Sequence, residues 1–548
     1  MKIKLFLLDS FVALASASAA VIQAGLGGPG FTAVVNDYDG DGKADPAVYE
    51  ESSGSWFVAC SGSNYALATI SLGGAGFTPL SGDYDRDGKA DPIVYQAATG
   101  NWSIRLSASN YELNLLNNFG GTSFVPVPAD YDGCGGIEPA VYVSSSGAWY
   151  LWRDGDAVTI TNRGVYYEVH INYNVDTRFN IGKLYAQKTI QAVPEFESHL
   201  DSYLKDLADD LRVVDTNLTD EVICGRARAI EPGIPSLYLE EFEGFASLMT
   251  GTVNVFGDGK LSRDELLALN LMPDVFTTVS CSGLAVFGQR SATGRPIIGR
   301  NFDWELGTDG LICRFNAVIY SAVGQIRVCS IGVIGIMGCA TGLNDSGLFA
   351  GILISPVEAE YSAEGKRSCL FDIRHVLESE QTLGGAAAFI ASPTNLYAYH
   401  FLVYMADKYE SRILENDLEN RRGLRGHDSA LNPGVIWGFN NAIAVVNSFV
   451  LSGNTDNHTV DPYNYERWNN YRTQLQARGA TAAFDDVKDI MSYHGPGGEA
   501  NGDIFNTYTV MSMVYSYAEN RLAVFFHTAT NTFTENPQFI DVPVGFTP

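Results

Sequence analysis

Residues 22 to about 153 carry one unit three times over, at a spacing of 46–47 residues. The first copy reads Asn36-Asp37-Tyr38-Asp39-Gly40-Asp41-Gly42-Lys43-Ala44-Asp45-Pro46, with Trp56 after it. The second reads Gly82-Asp83-Tyr84-Asp85-Arg86-Asp87-Gly88-Lys89-Ala90-Asp91-Pro92, with Trp102. The third is worn, Asp130-Tyr131-Asp132-Gly133-Cys134-Gly135-Gly136-Ile137-Glu138-Pro139, with Trp149. A shared period identifies one structural unit copied in tandem. Short alternating runs such as Ala47-Val48-Tyr49 and Trp56-Phe57-Val58, parted by Gly/Ser turns, predict small antiparallel strands. The Asp-rich loop groups hard oxygen donors on a tight turn, an arrangement suited to Ca²⁺. Its ligands would be Asp37, Asp39, Asp41 and Asp45 in the first copy, and Asp83, Asp85, Asp87 and Asp91 in the second. In the third, Cys134 stands where the third Asp belongs, so calcium is expected in two loops only.

These units resemble the FG-GAP/VCBS-type repeats of β-propeller blades. A ring of blades takes about four to eight, so three copies imply a compact or open all-β module over residues 20–153. The resemblance implies adhesion, carbohydrate contact or spacing as its role, with calcium stabilising the loops.

A chain of 548 residues is long enough for two or three domains, and 46% apolar residues supply their cores. The net charge of −28, from 35 basic and 63 acidic residues, excludes nucleic acid and anionic membrane surfaces as partners. Met1-Lys2-Ile3-Lys4, an apolar stretch from Leu5 to Ala15 and Ala17-Ser18-Ala19 predict a signal peptide over residues 1–19. The mature protein is therefore expected to be secreted, extracellular or periplasmic. No later stretch offers 18 consecutive apolar residues, so no membrane span is expected. The eight cysteines form no metal-binding spacing, and their pairing cannot be read from order.

Beyond Asp154 the texture becomes helical, and residues 165–280 are expected to form a helical segment. Phe196, Leu200, Tyr203, Leu204, Leu207 and Leu211 trace one apolar stripe. Ser262 and Glu265 have the spacing of a capping box. Asn254-x-Phe256-x-Asp258-Gly259-x5-Glu265 has EF-hand spacing, but Phe256 stands where an oxygen ligand is needed and Glu265 is committed to the cap.

The stretch from Cys281 to Trp304 carries the chemistry. A small-residue bend after Cys281 leads into Leu284–Phe287, then a turn at Gly294, then Pro296–Ile298 and Arg300-Asn301-Phe302-Asp303. Apolar run, glycine turn and apolar run predict a hairpin. The fold-back returns Arg300 and Asp303 beside Cys281 although they lie 19 and 22 residues away. A thiol beside a fixed cation and a carboxylate suits nucleophilic catalysis. A buried cysteine with a structural Arg–Asp pair fits the same residues.

The layout resembles the cysteine N-terminal-nucleophile hydrolases, the family of acid ceramidase, choloylglycine hydrolase and isopenicillin N acyltransferase. The resemblance spans roughly residues 165–548. It includes Gly342-Leu343-Asn344-Asp345-Ser346-Gly347-Leu348, Ala444-Val445-Val446-Asn447-Ser448 and Tyr465-Glu466-Arg467-Trp468. Where some relatives carry a further polar residue past the glycine turn, this chain has Ile352-Leu353-Ile354. The resemblance implies an α+β fold, a four-layer αββα domain. It implies self-cleavage before Cys281 into residues 165–280 and 281–548, with the two pieces staying associated. Catalytic residues would be Cys281, Arg300, Asp303, Asn447 as oxyanion donor and Arg467 as brace, with Arg472 the fallback on the same helix. The substrate would be a small N-acyl amide, cleaved at a linear non-peptide C–N bond by hydrolysis or acyl transfer without a catalytic cofactor. Two other readings stand beside it: a calcium-binding adhesion or glycan-binding protein with an inactive hydrolase-like domain, and a papain-like hydrolase using His375 or His527.

Overall fold

The computed structural model describes residues 25–546 apart from 86, 132–134, 153–156, 277–279, 358–360, 496–501 and 529–535. The expected signal peptide, Asp132 and Cys134 lie outside the described residues. The chain divides into two compact units, residues 1–156 and 157–548.

The first unit is three small antiparallel sheets, one per repeat. They are β1 (Phe31–Ala33), β2 (Ala47–Glu50), β3 (Ser55–Cys60) and β4 (Ala66–Ser71); β5 (Thr78–Gly82), β6 (Asp91–Gln96), β7 (Asn101–Leu106) and β8 (Glu112–Leu116); and β9 (Val125–Pro126), β10 (Ala140–Val143) and β11 (Ala148–Leu151). Trp56 and Trp102 are fully buried and centre the first two cores, tilted against Tyr49 and Tyr95.

The second unit opens with β12 (Val158–Asn162) and β13 (Tyr167–Asn172), followed by α1 (Arg178–Ala192), α2 (Phe196–Val214), α3 (Asp220–Ile230), α4 (Ser236–Ala246), α5 (Arg263–Asn270) and α6 (Met272–Phe276). The segment expected to be helical from 165 thus begins as a strand. Tyr167–Asn172 alternates, with Val169 and Ile171 buried, and pairs in parallel with Tyr167↔Ala317 to Asn172↔Ala322. The stripe on α2 is buried from Phe196 to Leu207. Ser262 and Glu265 form the reciprocal cap of α5. Asp201 accepts from the N–H groups of Gly257 and Gly259 at 2.8 and 2.6 Å. The EF-hand-like loop is therefore tied down by a carboxylate from α2.

Past Cys281 come β14 (Ser280–Val286), β15 (Ile297–Asp303), β16 (Asn316–Val323), β17 (Ile326–Val333), β18 (Thr341–Asn344) and β19 (Phe349–Ile354). Then follow α7 (Cys369–Ser379), α8 (Leu383–Ile390), β20 (Phe401–Ala406), β21 (Ser411–Asn416), β22 (Arg422–Arg425), β23 (Ala442–Val445), α9 (Pro462–Ala477), α10 (Phe484–Met491), β24 (Thr509–Ser516), β25 (Arg521–Phe526) and β26 (Ile540–Val542). One sheet of nine strands runs β12-β13-β16-β17-β18-β19-β20-β21-β22, and one of six runs β23-β14-β15-β24-β25-β26. Cys281, Ala285 and Ile298 of the second sheet share a core with Phe349, Leu353 and Tyr404 of the first. Outside the large sheet, α7 and α8 cover Ile352 and Val403. Outside the small sheet, α9 and α10 cover Leu284 and Ala444. Helix, sheet, sheet, helix is thus the layering.

A buried ionic cluster ties residues before Cys281 to residues after it. Glu241 accepts from Tyr173 Oη at 2.6 Å, Arg178 Nη1 at 3.2 Å and Arg374 Nη2 at 2.8 Å. Arg374 also reaches Glu378 at 2.7 Å. Removing one charge from such a cluster leaves its partner buried and uncompensated. Glu241→Gln should destabilise the second unit by about 3–5 kcal/mol. Glu168→Gln at the exposed pair with Arg163 should cost less than about 1 kcal/mol. Denaturant unfolding of the two variants checks the contrast.

Candidate active site

Cys281 lies at the start of β14, and the hairpin register pairs Ser280 with Asp303, Cys281 with Phe302 and Gly283 with Arg300. Arg300 Nη2 stands 3.8 Å from Cys281 Sγ and also donates to the Ile352 carbonyl. A Cβ on Gly351 would meet Arg300 Cδ and Nε at 2.8 Å, so this glycine makes room for the guanidinium between the sheets. Arg300 is 1% exposed, and its Nε and Nη1 have no hydrogen-bond partner among the described residues. A buried donor without a partner carries an uncompensated desolvation cost, and here two of them lie on the guanidinium beside Cys281.

Asn447, just past β23, accepts at Oδ1 from the Cys281 backbone N–H at 2.7 Å and donates from Nδ2 to the Ile354 carbonyl at 2.6 Å. A backbone N–H on one side and a carbonyl on the other fix which end of the amide faces Cys281. The apolar run Ile352-Leu353-Ile354 thus serves the site through backbone oxygens. Arg467 of α9 reaches the Cys281 carbonyl at 3.3 Å, Asn447 Oδ1 at 3.5 Å and Asp303 Oδ2 at 3.7 Å. Arg472 turns elsewhere, donating to the Trp437 carbonyl at 3.2 Å. At about 100° per residue the two arginines stand about 140° apart around the helix, so the expectation of a common face is corrected.

Asp303 is held by Thr509 Oγ1 at 2.7 Å and Asn506 Nδ2 at 3.3 Å. Burial raises its pKa against the opposing pull of Arg467. Burial likewise pushes the Cys281 thiol up to about 11, although Arg300 pulls the other way. The thiol is therefore protonated near neutrality, and Cys281 is fully shielded from solvent.

The five residues named from sequence meet in one place. The sequence pattern did not point to Asn506, Thr509, the carbonyls of Ile352 and Ile354, or Asn464, which exchanges hydrogen bonds with the Asn447 backbone N–H and carbonyl at 3.3 Å each. Thr509 is aligned with Asp303 only by the β15–β24 register, which no local pattern carries. His527 lies 3.5 Å from Cys313, not beside Cys281, and His375 packs on Phe389. Burial holds Cys313 near 12 and His527 near 4, so that pair is a neutral thiol and a neutral imidazole. No disulfide joins the described cysteines.

In the first unit, Asp37, Asp39 and Asp41 bring carboxylate oxygens within 4.8 Å of one another, as do Asp83, Asp85 and Asp91. Asp45 groups instead with Asp39 and Cys60. Asp87 holds the Lys89 N–H and the Ser107 hydroxyl. All-oxygen clusters of this kind fit Ca²⁺.

No protein-family model matches the chain, and no curated protein matches it. Among solved structures it is similar to the N-acylethanolamine-hydrolyzing acid amidase ortholog of Caenorhabditis elegans, at 15% identity over 47% of this chain and 100% of that one, with a TM-score of 0.31. It is also similar to the conjugated bile acid hydrolase of Clostridium perfringens, at 12% identity over 49% and 99% with a TM-score of 0.30. Penicillin V acylase of Agrobacterium tumefaciens gives 12% identity over 48% and 86%, with a TM-score of 0.31.

Burial, then the neighbouring Asp91, push Asp85 up to about 7, and burial holds Asp91 near 6. A carboxyl whose folded pKa exceeds its unfolded value stabilises the fold at low pH and loses that contribution as pH rises through the folded value. The metal-free first unit should therefore melt at falling temperature from pH 4 to about 7. Calcium should reverse the loss at pH 7 and above, read by scanning calorimetry with and without a chelator.

Proposed function

We propose that the chain is an exported, self-processing amide hydrolase or acyltransferase, acting on linear non-peptide C–N bonds of small N-acyl amides. The observation that carries this reading is the set of contacts on Cys281: Asn447 on its N–H, Arg467 on its carbonyl and Arg300 on its sulfur.

In processing, the Cys281 thiol adds to the Ser280 carbonyl carbon and its proton passes to the Cys281 nitrogen. The C–N bond breaks, leaving a thioester and a free α-amine. Water hydrolyses the thioester, so Ser280 ends as a carboxylate and Cys281 becomes N-terminal. An α-amine has a pKa of about 7.7–8 and can accept a proton near neutrality. In turnover it takes the thiol proton, the sulfur attacks the substrate carbonyl, and the amine returns the proton to the leaving nitrogen. The unpartnered donors of Arg300, backbone N–H groups and the Asn447 amide would stabilise the oxyanion. Water or an acceptor amine then releases the acyl group. Opening the peptide before Cys281 is also what would let substrate reach the buried sulfur.

No catalytic cofactor enters these steps, and calcium is assigned a structural role in the repeats. The two pieces would stay associated, because β12 and β13 belong to the large sheet and the Glu241–Arg374 cluster joins both sides of the cut.

Mass spectrometry of the purified protein should show a 268-residue piece beginning at Cys281, that is 548 less 280 residues. Cys281→Ala should abolish both the cut and turnover of N-acyl amides; full activity in an uncut chain would sink the mechanism.

Arg467→Lys should slow turnover by about 10², since a point-charge ammonium cannot span the Cys281 carbonyl and Asp303 together. Arg472→Lys should leave kcat unchanged. Steady-state kinetics on N-acyl amides decide between them.

A further inference from the structure

Two long polar side chains, Arg300 and Tyr404, cross the space between the sheets next to Cys281. Both are buried, at 1% and 0% exposure. Facing sheets stand about 10 Å apart, so side chains of this length cannot meet end on and must pass each other. The registers make the room. Arg300 of β15 is paired with Gly283 of β14, and Tyr404 of β20 is paired with Gly351 of β19. Arg300 crosses to Gly351, where a Cβ would meet its Cδ and Nε at 2.8 Å and its Cζ at 3.2 Å. Tyr404 crosses to Gly283, where a Cβ would meet its ring carbons Cε1 and Cδ1 at 2.7 and 2.8 Å. Each side chain thus lies on the glycine paired with the other, and the two run past each other in opposite directions.

Cys281 precedes Gly283 by two residues, so it stands on the same face of β14 as the glycine under the Tyr404 ring. Cys281 and Tyr404 belong to one core, and the ring is braced edge-on by Phe349, with centroids 5.3 Å apart at 75°. Burial raises the Tyr404 phenol well above its ordinary pKa, and Arg300 is near enough to pull the other way.

Hydrogen bonding fixes Arg300 at one nitrogen only. Nη2 reaches Cys281 Sγ and the Ile352 carbonyl, while Nε and Nη1 have no hydrogen-bond partner among the described residues. A planar guanidinium held at one corner swings about that corner unless packing stops it. Gly351 gives it a floor, the Phe302 ring lies 5.4 Å from its Cζ, and Tyr404 rises one strand over from that floor. The pull of Arg300 on the thiol opposes the burial that raises it. That pull falls with distance, so whatever fixes the guanidinium also sets how much of the sulfur is thiolate.

We propose that Tyr404 is a positioning residue for Arg300: its ring, seated on Gly283, keeps the guanidinium beside the Cys281 sulfur. The assignment rests on the proposed role of Cys281 as nucleophile. The ring does this and not the hydroxyl, which projects past Gly283 toward Gly299 and Ser411, away from the guanidinium. Phenylalanine keeps the ring on its glycine, whereas leucine leaves the space beside Arg300 open. Gly351 serves the same end from below, since an alanine methyl there would push Arg300 off its floor.

The test is a pH titration of the Cys281 thiol in the full chain. It is read as the difference in ultraviolet thiolate absorbance between each protein and its Cys281→Ala counterpart. Tyr404→Leu should raise the apparent pKa of the thiol by about 1 unit, and Tyr404→Phe should leave it in place. In an Arg300→Gln background the sulfur has already lost its cation, so adding Tyr404→Leu should shift it no further. A tyrosine with a merely structural role would change the melting temperature and leave the titration unmoved. Where Tyr404→Leu does not fold, Gly351→Ala should give the same upward shift, again lost in the Arg300→Gln background. An unmoved thiol in these variants, an equal shift in Tyr404→Phe, or a shift that persists without Arg300 would each overturn the proposal. Cutting and amide turnover are scored separately, so a chain that does neither fails the activity reading and still gives this titration.

Discussion

The candidate active site depends on one constraint, the antiparallel register of β14, β15 and β24. Because Cys281 stands opposite Phe302 and Asp303 opposite both Ser280 and Thr509, a thiol, a guanidinium and a carboxylate converge without any loop having to be ordered for the purpose. A slip of one residue would turn Cys281 away from the inter-sheet core and send Arg300 to the helical side. Rigid placement on strands is the more precise way to hold reacting groups. Burial raises both groups, Cys281 within the apolar core between the sheets and Asp303 among Thr509, Asn506 and Arg467.

A second tier holds that core from outside. Arg467 is a buried cation whose charge is shared between Asp303 and two oxygens near Cys281, so α9 is bound to the site by polarity as well as by Trp468 and Tyr471. Glu415 plays a comparable part beneath Asn447. It accepts from Arg425 at 2.9 Å and from the N–H groups of Val450 and Leu451, fixing the turn that follows the amide. Asn457 adds a brace to Ser355 at 2.9 Å, next to the Ile354 carbonyl that Asn447 uses. The amide is thus held from the strand, the turn and the facing sheet.

Much of this was legible in the chain. The repeat period located the three small sheets, the apolar–glycine–apolar pattern located the β14–β15 hairpin, and Ser262 with Glu265 marked the start of α5. Local patterns carry such information because they are written within a few residues. What was not legible is long-range. Thr509 and Asn506 serve Asp303 from about 200 residues away, and the carbonyls of Ile352 and Ile354 act through a backbone that any apolar residue would offer. The strand at Tyr167–Asn172 was hidden because it is short and its partner, β16, lies far downstream in a parallel pairing. Arg467 and Arg472 do not share a helix face because a separation of five residues overshoots the three- and four-residue spacings at which helical neighbours meet.

The proposed activity rests on sulfur chemistry at Cys281, and the most direct test is to trap a covalent acyl intermediate. Acid-quenching the processed protein during turnover of a slowly hydrolysed N-acyl anilide, then mapping peptides by mass spectrometry, locates the acyl group. The account predicts one acyl mass on the peptide that begins with Cys281, removed by hydroxylamine as a thioester should be. Acylation at another residue such as Cys313, or turnover with Cys281 never acylated, would contradict it.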